Sequence, residues 1–124
     1  MINLINMEHE MTLKEPWFSL VKNNIKTIEG RIYDEKRKQI NIGDTIKFYN
    51  KDKSEYLTKV VSSIKIYYPF YRNVNTIDRA LREAKLKNIL PGITTYKKGV
   101  EVYESIPGYK EKIKKYGFVL FYLE

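Results

Sequence analysis

The sequence has no cysteine and only one histidine, His9. No disulfide can staple the chain, and neither a thiolate nor a histidine-rich metal site can form. Only scattered carboxylates remain as metal ligands, so no metal is expected. No apolar run approaches the roughly 20 residues of a membrane-spanning helix. The opening MINLINMEHE carries two acids and lacks the basic start of a secretory signal. A glycine-rich phosphate cradle is also missing, so no cofactor is expected. The absences together point to a cytoplasmic protein without a membrane partner.

What is present fits a folded chain. The 124 residues are 43% hydrophobic, 14% aromatic and 31% charged, enough to bury a core in one domain spanning residues 1–124. A monomer is the expected state. The net charge is +8 and it is unevenly spread. Residues 1–50 hold 8 basic and 7 acidic groups, whereas residues 51–124 hold 15 and 8. A basic field of this kind attracts polyanions, with RNA or DNA first among them. Solubility alone is the plainer account.

Read in order, residues 7–13 alternate as a strand with Met7, His9, Met11 and Leu13 on one face. His9 is then either a hydrogen-bonded core residue or part of a cleft at the mouth of a barrel. Pro16 opens a helix whose buried stripe is Trp17, Leu20 and Val21, and Asn23-Asn24 ends it. Trp17 reads as core. Residues 26–33 are extended, with Gly30 marking a bulge or a close backbone approach. The run 34–38 reads as a charged turn. A strand with Ile46 and Phe48 on one face follows the Gly43-Asp44 turn, and after a hairpin turn at Lys51–Ser54 another runs over 55–67. The aromatic cluster Tyr67-Tyr68-Pro69-Phe70-Tyr71-Arg72 reads as a loop that either stacks on bases, with Tyr68 and Arg72 as contacts, or covers the end of a barrel. Asn75 starts a basic helix, Val100–Ile106 forms a short one, and Tyr109–Tyr116 another, closed by Gly117. The last strand, from Phe118 to Leu123, is apolar throughout. The class is α+β, a small and mostly antiparallel β-barrel with flanking short helices.

The densest chemistry lies in Asn24-Ile25-Lys26-Thr27-Ile28-Glu29-Gly30-Arg31. This run resembles the GxKxxExR motif of ASCH domains, which have a PUA-like barrel. Glu15-Pro16-Trp17-Phe18, Ile42-Gly43-Asp44, Leu90-Pro91-Gly92, Gly99-Val100, Tyr103 and Pro107-Gly108-Tyr109 resemble flanking features of small stand-alone members. The likeness covers nearly the whole chain. It departs at Asn24, which takes the motif's glycine position, and both residue types tolerate positive φ.

The resemblance implies recognition of RNA or a nucleotide in a cleft beside Lys26, Glu29 and Arg31, and the residues read above add His9, Tyr68, Arg72 and Tyr103 as further candidate contacts. It also implies an alternative, since some small members are amidohydrolases that deacylate N4-acetylcytidine with a Lys, a Thr and a Glu. Their Lys maps to Lys26. Their Thr position holds Glu29 here, while Thr27 is the nearby hydroxyl and falls on the other strand face. Glu101 and Glu104 are the nearest candidates for a distal Glu. The triad is therefore not intact. Lys26 and Glu29 remain as catalytic candidates for such a hydrolase or for a ribonuclease, and a protein-interaction adaptor using the aromatic loop is the third reading. A lysine acts as a base only when its pKa is lowered. Glu29 opposes that by favouring the ammonium, which moves the reading toward binding. In a regular strand Lys26 and Glu29 face opposite ways, so Lys26 must leave from the loop before alternation begins.

Overall fold

The closing apolar run becomes an interior strand buried on both faces. In a computed structural model that describes residues 5–69 and 74–124, five strands form one sheet in the order β1-β3-β4-β5-β2. They are β1 (Glu8–Thr12), β2 (Ile28–Ile32), β3 (Thr45–Tyr49), β4 (Tyr56–Tyr67) and β5 (Phe118–Leu123). Only β1 and β3 run parallel; the other pairs are antiparallel. Among the described residues six helices flank the sheet: α1 (Trp17–Lys22), α2 (Glu35–Lys38), α3 (Thr76–Ala84), α4 (Leu86–Ile89), α5 (Tyr96–Glu104) and α6 (Tyr109–Tyr116). The expected α+β class holds. The expected barrel is a curled half-barrel, with β1 and β2 as its two edges.

Alternation along β5 divides the core in two. Val119, Phe121 and Leu123 point inward, where they meet Phe18 and Val21 of α1 and Ile46, Phe48 and Val61 of the sheet. Phe118 and Leu120 point outward, against Ile77, Leu81, Ile89, Tyr103 and Ile113 of the helical layer. Such two-sided burial explains why the strand carries no polar alternation. Long strand β4 shifts register between Val61 and Ser63, so its inward set changes parity midway. This is why both faces of its sequence are apolar.

Two turns were readable from residue type. Asn24 adopts φ +60, and the amides of Ile25 and Lys26 both return to the Leu20 carbonyl, which ends α1. Gly43 adopts φ +94 before Asp44. Asp44 is buried and accepts from the Met7 amide at 3.0 Å, the Asn41 amide at 2.9 Å and His9 Nε2 at 2.8 Å. It thereby ties the entry of β1 to the turn before β3.

Burial raises the Asp44 pKa, but the Asn41, His9 and Met7 hydrogen bonds outweigh this and hold it below the ordinary carboxylate value. A folded-state pKa below the unfolded one gives stability that is present above about pH 4 and lost as pH falls through the folded value. Asp44→Ala is therefore expected to lose stability at neutral pH and to show a flatter acid limb in a denaturation series. An acid limb as steep as that of the unaltered protein contradicts this role.

Other elements differ from the sequence reading. The run 34–38 is not an open turn: Asp34 accepts from the Arg37 amide and caps α2. Helix α5 starts at Tyr96 rather than near Val100, because Thr95 caps it. Tyr67 ends β4 and is buried, rather than standing in a loop. Phe70, Tyr71 and Arg72 lie outside the described residues.

Candidate functional site

Lys26 leaves the chain two residues before β2 begins, so strand alternation does not separate it from Glu29. Both side chains are buried, and Lys26 Nζ lies 3.2 Å from Glu29 Oε1. The same ammonium donates to the Ile28 carbonyl at 2.6 Å and to the Ile89 carbonyl. Its three hydrogens thus meet three oxygens. Lys26 also lies 5.8 Å from the centre of the Trp17 ring.

Arg31 completes the network from the next inward position of β2. Its Nε and Nη2 approach Glu29 Oε2 at 2.8 and 2.7 Å, and Nη2 also donates to the Thr12 carbonyl at 2.9 Å. This last bond links edge strand β2 to the end of edge strand β1, across the opening of the half-barrel. Arg31 Nη1 has no hydrogen-bond partner among the described residues.

The charges respond accordingly. Burial lowers the pKa of Lys26, and Glu29 offsets only part of that. Burial raises that of Glu29, but Arg31 and then Lys26 outweigh it and hold the carboxyl below its ordinary value. Burial lowers that of Arg31, and Glu29 more than reverses it. Three oxygen acceptors around Nζ favour the ammonium form of Lys26 despite the downward shift. With Lys26 charged, the triad carries one positive charge more than it cancels.

The triad forms the floor of a cavity of about 360 Å³. Leu13, Trp17, Val102, Ile106, Pro107 and Tyr109 also line it. Tyr103 lines it too, buried, with its ring edge-on to Phe118 at 5.0 Å. Gly30 also lines the cavity, and the reason for glycine is close approach rather than a bulge, since the β2–β5 register is regular there. A Cβ at Gly30 would meet Phe118 Cζ at 2.5 Å and the Tyr103 hydroxyl at 3.0 Å. Gly30→Ala is expected to destabilise the fold by about 1–3 kcal/mol, read by chemical denaturation. A change below about 0.5 kcal/mol contradicts this packing.

Of the expected site residues, Lys26, Glu29, Arg31 and Tyr103 converge on the cavity. The others do not. Thr27 is pinned by backbone bonds to Asn88 and Leu123, and it does not line the cavity, so the hydroxyl is not brought to Lys26. His9 stands at the opposite end of β1, bonded to Asp44, which is the core alternative for it. Tyr68 packs edge-on to Tyr33 at 6.0 Å, away from the cavity. Arg72 lies outside the described residues. Neither Glu101 nor Glu104 lines the cavity. Sequence reasoning passed over Trp17 and Tyr109 as walls. Trp17 shares its ring between core and cavity, a division that helical periodicity does not express.

The family model described as ASCH domain matches residues 11–124. The chain belongs to the ASCH domain family. Among solved structures, this ASCH domain is similar to hypothetical protein PH0355, a crystal structure, with a TM-score of 0.80 and 36% identity over 95% of this chain and 98% of the other. It is also similar to protein PF0455 from Pyrococcus furiosus, a solution NMR structure, with a TM-score of 0.70 and 38% identity over 95% of this chain and 96% of the other. Both neighbours come from Pyrococcus, and the half-barrel matches a PUA-like fold. No curated protein matches the ASCH chain. No helix among the described residues is long and apolar enough to cross a membrane.

Proposed function

We propose that this ASCH domain, folding as one unit over residues 1–124, binds single-stranded RNA by taking a nucleotide into the cavity above Arg31. One observation carries the reading: Arg31 lines the cavity and its Nη1 has no hydrogen-bond partner among the described residues, while Lys26 is saturated by Glu29 and backbone and Glu29 by Lys26 and Arg31. A planar guanidinium with two N–H groups to spare suits the acceptor oxygens of a nucleotide. The unbalanced positive charge favours a ligand that brings negative charge. Trp17 and Tyr109 offer apolar surface for a base, as RNA readers commonly use. Glu29 holds Arg31 in place rather than contacting the ligand.

The amidohydrolase alternative is less supported. A catalytic amine must be able to lose its proton and accept another. Lys26 instead spends its donors on Ile28, Ile89 and Glu29, and the hydroxyl next to it in sequence, Thr27, is outside the cavity.

The test is a fluorescence titration, because Trp17 is the chain's single tryptophan and lines the cavity. Uridine monophosphate and short oligouridines are expected to change its emission saturably, with affinity for the oligomers falling as salt rises. A silent Trp17, or affinity indifferent to salt, contradicts the reading. N4-acetylcytidine incubated with the protein is expected to remain acetylated by chromatography; steady turnover, abolished in Lys26→Ala, contradicts the preference for binding.

A further inference from the structure

The helical layer covers only part of the outer sheet face. Over β3 and the first half of β4 the outward residues Tyr56, Thr58 and Val60 are exposed, with Tyr56 at 59%. Beside them stands Tyr49, half-buried, whose ring centre lies 5.9 Å from that of Tyr56. Two lysines attend these rings. Lys47 Nζ lies 4.1 Å from the Tyr56 ring centre and 5.3 Å from that of Tyr49, and Lys53 Nζ lies 5.4 Å from the latter. The ammonium groups lie over these rings, which are tilted by 56° to each other, and rings and cations together make a sequence-tolerant surface for bases and their phosphates.

Strand register places the platform next to the cavity. Thr12 pairs with Tyr49, and Tyr49 pairs with Tyr56, so the three lie in one row across β1, β3 and β4. Thr12 also lines the cavity, and its carbonyl receives Arg31 Nη2. Adjacent strands lie about 4.8 Å apart, so the row spans about 10 Å, the reach of one or two nucleotides. Glu8, at the other end of β1, and Glu10, at its centre and opposite Lys47, lie on the same face and repel phosphates there, which leaves the Thr12 end as the path.

We propose that single-stranded RNA with one nucleotide in the cavity crosses Thr12 and lays its next two bases on Tyr49 and Tyr56, with Lys47 and Lys53 at its phosphates. This rests on the cavity reading above and adds a second, separate surface to it.

The experiment compares uridine monophosphate, read by Trp17 emission, with a 3′-labelled oligouridine hexamer, read by anisotropy. The unaltered protein is expected to bind the hexamer on the order of 10–100-fold more tightly than the monomer. Tyr49→Ala/Tyr56→Ala is expected to lose most of that preference while keeping its monomer affinity, which also shows that it folds. Lys47→Ala/Lys53→Ala is expected to lower the slope of log affinity against log salt by about 1.4. A hexamer preference kept in the tyrosine variant overturns the platform and leaves the cavity reading intact. Equal affinity for monomer and hexamer in the unaltered protein does the same. Failure of both ligands to bind the unaltered protein overturns the cavity reading and the platform with it.

Discussion

Glu29→Ala is expected to destabilise the protein by about 3–5 kcal/mol, the largest stability effect of any single change at the site. The carboxylate is buried between two cations, with Lys26 on Oε1 and Arg31 on Oε2. Removing it leaves two positive charges close together beneath a 360 Å³ cavity, with no counter-charge from the triad. Lys26 keeps its two carbonyl partners, which hold the ammonium in place rather than letting it escape. For a chain of this size the loss corresponds to a fall of about 10–20 °C in Tm. Lys26→Met is expected to cost less, because Glu29 then retains Arg31 and the charges balance. The ordering matters more than either value. Thermal melts in which Lys26→Met is the more damaging variant would show that the carboxylate is not the hub of the network.

Arg31→Lys is expected to weaken RNA binding by about 10–100-fold while the fold survives. The substitution keeps the charge. It removes the fork that lets one side chain hold Glu29 and Thr12 and still keep Nη1 free of partners among the described residues. A lysine ammonium at this position presents its donors from a single atom and cannot span the separate positions that Nε, Nη1 and Nη2 occupy in the fork. The change should therefore appear in affinity far more than in stability, as measured by Trp17 titration beside a melt. An unchanged affinity contradicts the role given to Nη1.

The two predictions rest on residues the sequence made legible to different degrees. Lys26, Glu29 and Arg31 stood out as a spacing of charged groups beside an Asn-marked turn, and the φ of +60 at Asn24 fulfils that turn. The departure of Lys26 from a pre-strand position was likewise deducible, since alternation alone would have separated it from Glu29. What residue spacing could not express was the third partner. The Ile89 carbonyl comes from α4, 63 residues downstream, a helix that no sequence signal marked. That contact is what turns Lys26 from a candidate base into a saturated donor.

The fold was legible where one residue type decides local geometry. Gly117, at φ +89, closes α6, and the apolar β5 is an interior strand as its composition requires. It was illegible where tertiary pairing decides. The register shift in β4 and the parallel pairing of β1 with β3 depend on partners distant in sequence. His9 illustrates the same limit. Its placement on the apolar face was readable, but the choice between core and cleft was made by Asp44, which caps a turn 35 residues away. Tyr49 and Tyr56 were hidden for the opposite reason, since each looked like an ordinary strand residue until register set them side by side.

The most direct test of the account is a crystal structure of the protein soaked with uridine monophosphate. Density is expected in the cavity, with an acceptor atom of the nucleotide about 2.7–3.2 Å from Arg31 Nη1. Lys26 should keep its bonds to Ile28, Ile89 and Glu29 unchanged. A nucleotide bound with Lys26 swung off those carbonyls and onto the ligand, or bound outside the cavity altogether, would contradict it.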